Sequence, residues 1–129
     1  MTDRLRFRVW DKQDGCYAYS NNSDVDLLYI ETDGNLTYGV YSNYYEDMIY
    51  IPESEVIIEQ CTGLKDRNGR LIYEGDLIKI DDDVAVIKWS DYYARFMLES
   101  SEDNFDFETT YAEECKVIGN IHTENINDM

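Results

Sequence analysis

Short segments in which polar and apolar residues alternate run through this chain, and turn sequences rich in glycine or aspartate separate them. Residues 4–10, RLRFRVW, show the pattern most clearly, because arginines alternate there with Leu5, Phe7 and Val9. A two-residue period places alternate side chains on opposite faces of a β-strand, whereas a helix needs apolar residues three or four positions apart. The sequence therefore predicts a mostly β protein with little helix.

The stretch at residues 62–80, TGLKDRNGRLIYEGDLIKI, contains the strongest turn sequences. Asn68-Gly69 predicts a tight type I′ hairpin, in which both central residues need a positive φ. Asp66 is expected to cap this turn with its carboxylate, and Gly75 to permit the bend from which the next strand starts. The residues assigned to this structural motif are Gly63, Asp66, Asn68, Gly69, Tyr73, Gly75 and Asp76.

The remaining alternating or apolar segments predict further strands. They lie at residues 16–20, 27–31, 36–41, 48–51, 56–61, 70–74, 76–80, 84–89 and 115–121. Residues 92–99 fit either a strand or a short helix, and residues 99–114 fit a loop or one helical turn. We expect a hairpin-rich N-terminal region at residues 1–55 and a C-terminal region at residues 56–129 that resembles a small bent SH3-like barrel, with one continuous domain as the alternative.

Acidic residues outnumber basic ones by 28 to 11, which gives a formal net charge of -17. Such a chain repels nucleic acids and anionic membranes and attracts basic partners, although acidity also serves solubility alone. Seven acids and no base lie at residues 99–114, and three aspartates lie at residues 81–83. Adjacent residues on a strand point to opposite faces, so this triplet predicts a solvated turn rather than a metal site.

The cysteines Cys16, Cys61 and Cys115 are odd in number and widely spaced, which argues against a disulfide framework or a zinc knuckle. They predict a reducing compartment and buried or half-buried thiols. The single histidine, His122, lies near the terminus, so a Cys–His nucleophile is poorly supported. We expect a cytoplasmic, non-enzymatic protein with no cofactor, metal or membrane association, and an enzyme that uses carboxylates stays open as a further hypothesis.

Arg4, Arg6 and Arg8 project from one face of the first strand, and Trp10 shares their phase. Basic and aromatic side chains together can hold a single nucleic-acid strand, so this face is a candidate interaction surface. The alternative, which the net charge favours, is that these arginines pair with the acidic residues 99–114 or with another subunit.

Tyrosine is abundant, and eight of the twelve tyrosines precede residue 51. Tyrosine is enriched at protein interfaces, but it is also favoured in strands, where it covers a thin β core. Both explanations stay open. If the tyrosines form an interface, the N-terminal half is the best candidate for self-association, and we expect a homo-oligomer.

Three segments resemble the YopX family of phage and prophage proteins. They are RFRVWDK at residues 6–12, QCTGLKDRNGRLIYEGDLIKI at residues 60–80 and CKVIGNI at residues 115–121. They follow the family's order: an arginine-rich strand ending in Trp-Asp, then T-G-L-x-D-x-N-G-x-x-I-Y-E-G-D, then V-I-G-N-I. The resemblance implies a small phage-encoded protein in a bacterial cytoplasm, and no defined chemistry.

These observations together suggest a phage accessory protein that acts by binding a basic host or phage protein. In its sharpest form this protein is an acidic decoy that occupies a nucleic-acid-binding protein. The alternative function is a nucleic-acid-binding small β-barrel module that uses the Arg4/Arg6/Arg8 face. Salt dependence distinguishes the two, because nucleic-acid binding weakens steeply as salt rises.

Overall fold

The computed structural model describes residues 5–19, 26–101 and 103–123, and for residues 26–30 it describes the backbone alone. The chain divides into two compact units. The N-terminal unit is Arg6–Glu59, and the C-terminal unit begins at Gln60 and also includes Leu5. The sequence predicts a boundary after residue 55, whereas the packing of the chain places it after residue 59, within strand β6.

The N-terminal unit is built from antiparallel hairpins. Its elements are β1 (Phe7–Asp11), β2 (Cys16–Tyr19), β3 (Asp26–Ile30), β4 (Leu36–Ser42), β5 (Asp47–Ile51), a 3-10 turn (Glu53–Glu55) and the start of β6 (Val56–Lys65). Strand β1 lies between β2 and β6, and β3, β4 and β5 form a separate three-stranded sheet. Hairpins join β1 to β2 at Gly15 and β3 to β4 at Gly34, and both glycines have a positive φ, 66° and 89°.

A small apolar core holds the N-terminal unit together. Val9 and Ala18 face each other across β1 and β2, and both are buried. Leu36 and Tyr38, two residues apart on β4, also turn their side chains into this core, as the two-residue period requires. Val56 completes the buried cluster from the start of β6.

The C-terminal unit contains a five-stranded antiparallel sheet in the order β11-β10-β9-β8-β12, which curls into a half barrel. Its elements are the end of β6, β7 (Leu71–Tyr73), β8 (Asp76–Ile80), β9 (Asp83–Ser90), β10 (Arg95–Glu99), β11 (Asn104–Asp106), α1 (Thr109–Glu114) and β12 (Lys116–Asn120). Strands β6 and β7 form the predicted antiparallel hairpin. The prediction of a mostly β protein with a bent C-terminal region is confirmed.

Two segments that the sequence left open have definite structures. Residues 95–99 form strand β10, so the strand alternative was correct there. The acidic segment contains strand β11 and helix α1. The apolar residues of this segment explain why it is structured, because Phe107 and Ala112 are buried with Ile78, Ile87 and Leu98 in the core of the unit.

The Asn68-Gly69 hairpin differs from the predicted turn type. Gly69 has a φ of 83°, but Asn68 has no positive φ. The amide of Gly69 donates to the carbonyl oxygen of Asp66 at 3.0 Å, and the amide of Asp66 donates to the carbonyl oxygen of Arg70 at 2.8 Å. These bonds indicate a three-residue loop in which one left-handed residue follows a type I turn. The hairpin is therefore confirmed, and the type I′ assignment was wrong.

Gly75 occupies a tightly constrained bend before β8. It is buried with a φ of 88°, its amide donates to the carbonyl oxygen of Ile87 at 2.8 Å, and its own oxygen accepts from the amide of Ile121 at 3.0 Å. Gly75→Val is expected to destabilise the protein by at least about 2 kcal/mol, because a β-branched residue is strained at this φ. Thermal unfolding followed by circular dichroism measures the effect.

The matched control for Gly75→Val is Gly15→Asn. Gly15 also has a positive φ, but it is exposed and an added Cβ would meet no atom within 4 Å. Asparagine tolerates the left-handed region, so this variant is expected to lose less than about 1 kcal/mol. A soluble Gly75→Val protein with the melting temperature of the wild type would contradict the prediction.

Candidate functional site

Arg8, one of the residues of the predicted basic face, has a buried side chain. Arg8 is 1% exposed, and its Nε donates to Oε1 of Glu59, itself 2% exposed, at 2.9 Å. The hydroxyl of Tyr17 donates to the same oxygen at 2.9 Å, and the Arg8 guanidinium carbon lies 4.0 Å from the centre of the Tyr17 ring. Because these residues lie on β1, β2 and β6, the network joins three neighbouring strands of the N-terminal unit.

The other members of the predicted face differ from Arg8 in exposure. Arg6 is exposed, and Trp10 is half-buried with its ring edge-on to Tyr17 at a centroid distance of 5.0 Å. Arg4 lies outside the described residues. An interaction of Arg6 and Trp10 with a partner stays a prediction, whereas the buried guanidinium of Arg8 faces the protein interior.

Arg8 forms an ion pair with Glu59, which lies outside the acidic residues 99–114 that the sequence suggested. Glu59 lies on the strand next to β1, so the pairing follows from strand order rather than from the abundance of acids. The signal available in the sequence was a single acid within the apolar run VIIEQC. Within residues 99–114, the acids Asp106 and Glu108 instead pair with Arg95, at 3.3 and 3.8 Å.

Asp66 connects the central hairpin to the last strand. Its Oδ1 accepts from the amides of Asn68 and Arg70, both at 2.9 Å, so it caps the turn as predicted. Its Oδ2 accepts from the amide of Val117 on β12 at 3.0 Å. Burial by itself raises the pKa of Asp66. The hydrogen bonds from these amides and the charge of Arg70 together lower it by a larger amount, so the pKa lies below its ordinary value of 3.8.

The other residues of the central motif also serve the fold. The buried carboxylate of Asp76 accepts from the amide of Tyr73 at 2.8 Å, and the Tyr73 side chain is buried as well. Gly63 has a φ of 84° within β6, where the pairing with β7 is irregular. The motif therefore builds a capped hairpin and the bend that follows it, and its buried polar atoms bond to the backbone.

The three cysteines occupy different environments. Cys61 and Cys115 are buried, but Cys16 is exposed at the first position of β2, so the prediction of buried or half-buried thiols was wrong for Cys16. Burial raises the pKa of the Cys115 thiol to about 11, and the charge of Asp66 adds to this effect. Cys115 is therefore protonated at neutral pH and is a poor nucleophile.

Negative charge is distributed over both units. The segment Arg6–Glu59 contains eleven acids and three bases, and the rest of the chain contains seventeen acids and eight bases. The predicted solvated turn at residues 81–83 is exposed, and Asp81 has a φ of 53°. In the described part of the chain, no group of three or more His, Cys, Asp or Glu side chains could hold a metal ion.

The tyrosines fall into a buried group and an exposed group, and an interface formed by the exposed ones stays a prediction. Tyr38 and Tyr73 are buried in their units, whereas other aromatic side chains are strongly exposed. The exposed aromatic residues among those described are Tyr41, Tyr44, Tyr45, Tyr50, Trp89, Tyr92, Tyr93 and Phe105. Most of them lie near the β4–β5 and β9–β10 turns. The surface of each unit therefore combines acidic residues with exposed aromatic rings.

The structure defines a small acidic β protein whose central glycine- and aspartate-rich motif builds the C-terminal unit. The sequence model of the YopX protein family matches residues 6–126, and the chain belongs to this family. The comparison with curated proteins gave no match.

Two solved structures share the fold. The crystal structure of protein YopX from Bacillus subtilis is 22% identical and has a TM-score of 0.63, with 94% of this chain and 95% of that chain covered. Protein EF1440 from Enterococcus faecalis is 25% identical with a TM-score of 0.58, and 91% and 92% of the two chains are covered. None of the helices described is long and apolar enough to cross a membrane.

Proposed function

We propose that this protein acts without catalysis, as a phage accessory protein that binds a basic host or phage protein in the bacterial cytoplasm. In this proposal its acidic surface imitates the charge of a nucleic acid and occupies a nucleic-acid-binding protein. The observation that carries the proposal is the excess of acids over bases in both units, within a total charge of -17. A surface of one sign raises the association rate with a partner of the opposite sign and lowers it with phosphates.

The environment of the cationic and nucleophilic groups supports the same proposal. Arg8, at the centre of the predicted basic face, is neutralised by Glu59 inside the N-terminal unit. The raised pKa of Cys115 disfavours the thiolate that a cysteine nucleophile needs. A partner would therefore meet mainly carboxylates and aromatic rings at the surface of this protein.

The expected result of a pull-down from bacterial lysate at low salt is retention of a basic protein that survives nuclease treatment. Because the attraction is electrostatic, the retained protein should dissociate as salt rises. Mass spectrometry identifies the protein, and calorimetry with the two purified proteins then tests for a stoichiometric complex. An unrelated acidic protein of similar size and net charge is the control bait.

Different outcomes would contradict the proposal. Material that nuclease releases would favour nucleic-acid binding by the predicted arginine face. A protein retained equally by the control bait would indicate attraction to any polyanion and no specific partner.

A further inference from the structure

Two hairpin turns, one in each unit, have the same construction. The β4–β5 turn lies in the sequence YSNYYEDM at residues 41–48, and the β9–β10 turn lies in WSDYYARF at residues 89–96. In both, an aromatic residue and a serine precede Asn or Asp, and two tyrosines follow. Ser42 pairs with Asp47 and Ser90 with Arg95, so each loop has the same length. We call these loops the Tyr-Tyr turns.

The backbones of the two Tyr-Tyr turns match closely. The Ser42 hydroxyl oxygen accepts from the amide of Tyr45 at 3.3 Å, and the Ser90 hydroxyl oxygen accepts from the amide of Tyr93 at 3.1 Å. The last loop residue has a positive φ in both, 54° at Glu46 and 53° at Ala94. The serine cap and the left-handed residue therefore define the turn, and neither device requires a tyrosine.

The paired tyrosine rings are held edge to face and point into solvent. In the first turn the ring centroids of Tyr44 and Tyr45 lie 4.9 Å apart at 84°, and the residues are 87% and 68% exposed. In the second turn those of Tyr92 and Tyr93 lie 4.8 Å apart at 81°, and the residues are 88% and 63% exposed. Side chains this exposed add little burial to the fold, so their recurrence needs another explanation.

A cationic side chain is the ligand that fits these turns best. The face of a tyrosine ring attracts guanidinium and ammonium groups, and nearby carboxylates add a Coulomb attraction for the same cations. Glu46 and Asp47 lie in or beside the first turn, and Asp91 lies in the second, where its Oδ1 accepts from the Trp89 indole at 3.0 Å. Nucleic-acid bases also stack on tyrosine, but a net charge of -17 repels their phosphates.

We propose that each Tyr-Tyr turn is a recognition element for arginine or lysine side chains of the basic partner. This inference rests on the proposed function and assigns its contact residues, Tyr44 and Tyr45 in one unit and Tyr92 and Tyr93 in the other. Arginine is the preferred ligand, because its planar guanidinium stacks on aromatic rings better than an ammonium group.

Fluorescence polarisation with a labelled octa-arginine peptide tests the inference. Tyr44→Ser/Tyr45→Ser and Tyr92→Ser/Tyr93→Ser leave the net charge unchanged, and each pair is expected to weaken binding about five-fold. The quadruple variant is expected to weaken it more than either pair alone. Replacement of the same tyrosines by phenylalanine keeps the rings and should retain the affinity.

The control for general electrostatic attraction is Asp81→Asn/Asp82→Asn, which removes two exposed charges in a turn that has no aromatic residue. It should weaken peptide binding less than either tyrosine pair. Equal binding by the wild type and the quadruple serine variant would overturn the inference, as would equal losses with serine and Asp→Asn variants. The quadruple serine variant could instead lose self-association or oligonucleotide binding while its peptide binding is unchanged. That result would show that the turns bind a second copy of the chain or a nucleic acid, and it would also overturn the inference.

Failure of this inference and failure of the proposed function give different results. If the quadruple variant retains the basic protein captured by the wild type, the turns are not its contact and only the inference fails. If the wild type captures no basic protein, the proposed function fails. The peptide titration then still decides whether the turns bind guanidinium groups.

Discussion

Replacing Arg8 by methionine is expected to destabilise the N-terminal unit by about 3–5 kcal/mol, because the substitution leaves the Glu59 carboxylate buried without its cationic partner. The double variant Arg8→Met/Glu59→Leu is expected to recover most of this loss, since it replaces the ion pair by apolar side chains of similar size. Recovery is incomplete because the double variant removes Glu59, the acceptor of the Tyr17 hydroxyl.

Urea unfolding followed by tryptophan fluorescence measures the free energy of unfolding of the N-terminal unit alone. The chain has two tryptophans, so a Trp89→Phe background leaves only Trp10, which contacts Tyr17 beside the ion pair. Arg6→Met, immediately before β1, is the control, and because Arg6 is exposed this substitution should cost less than about 1 kcal/mol. A loss below about 1 kcal/mol for Arg8→Met would contradict the prediction.

Replacing Asp66 by alanine is expected to destabilise the C-terminal unit by about 3 kcal/mol. The substitution removes the acceptor of three backbone amides. The hydrogen bond from the amide of Val117 is buried, so this amide would be left without a partner away from water. Unfolding is followed through Trp89 in a Trp10→Phe background. Asp103→Ala is the control in the same unit, because Asp103 accepts from the amide of Asn104 at an exposed position and should contribute less than about 1 kcal/mol.

The lowered pKa of Asp66 adds a pH dependence of known sign. As the pH falls, the unfolded chain takes up this proton first, at about the ordinary value of 3.8, and the folded state takes it up at lower pH. The contribution of Asp66 is therefore complete above that value and is lost as the pH falls through the folded pKa. The stability difference between the wild type and Asp66→Asn should shrink over this window. A constant difference from neutral pH to pH about 3 would contradict the assignment.

The tyrosines illustrate how much of the candidate surface the sequence predicts. Their abundance indicates either an interface or a thin β core. Tyr38 is buried in the core of its unit, whereas Tyr44 is 87% exposed and is accessible to a partner. The alternation of polar and apolar residues does not predict which tyrosines are buried and which are exposed. The exposed tyrosine pairs lie in turns, where the two-residue period ends. The shared construction of the β4–β5 and β9–β10 turns becomes clear only from their hydrogen bonds and ring geometry.

The local hairpins were determined by the sequence itself. Gly15, Gly34 and Gly69 allow positive φ values at positions between alternating segments, and such turns depend on residues that are close in the chain. The cap formed by Asp66 on Asn68 and Arg70 belongs to the same class, because all its atoms lie within one loop.

Only the tertiary structure decided which polar groups became buried and which partners they met. The alternation in β1 predicts one apolar and one basic face, yet Arg8 and Val9 are both buried because the adjacent strand β6 brings Glu59 to the guanidinium. Likewise, Asp66 meets the amide of Val117 because β12 pairs with β8 in the sheet of the C-terminal unit. These partners are each separated by 51 residues in the chain, so strand order rather than local preference brings them together.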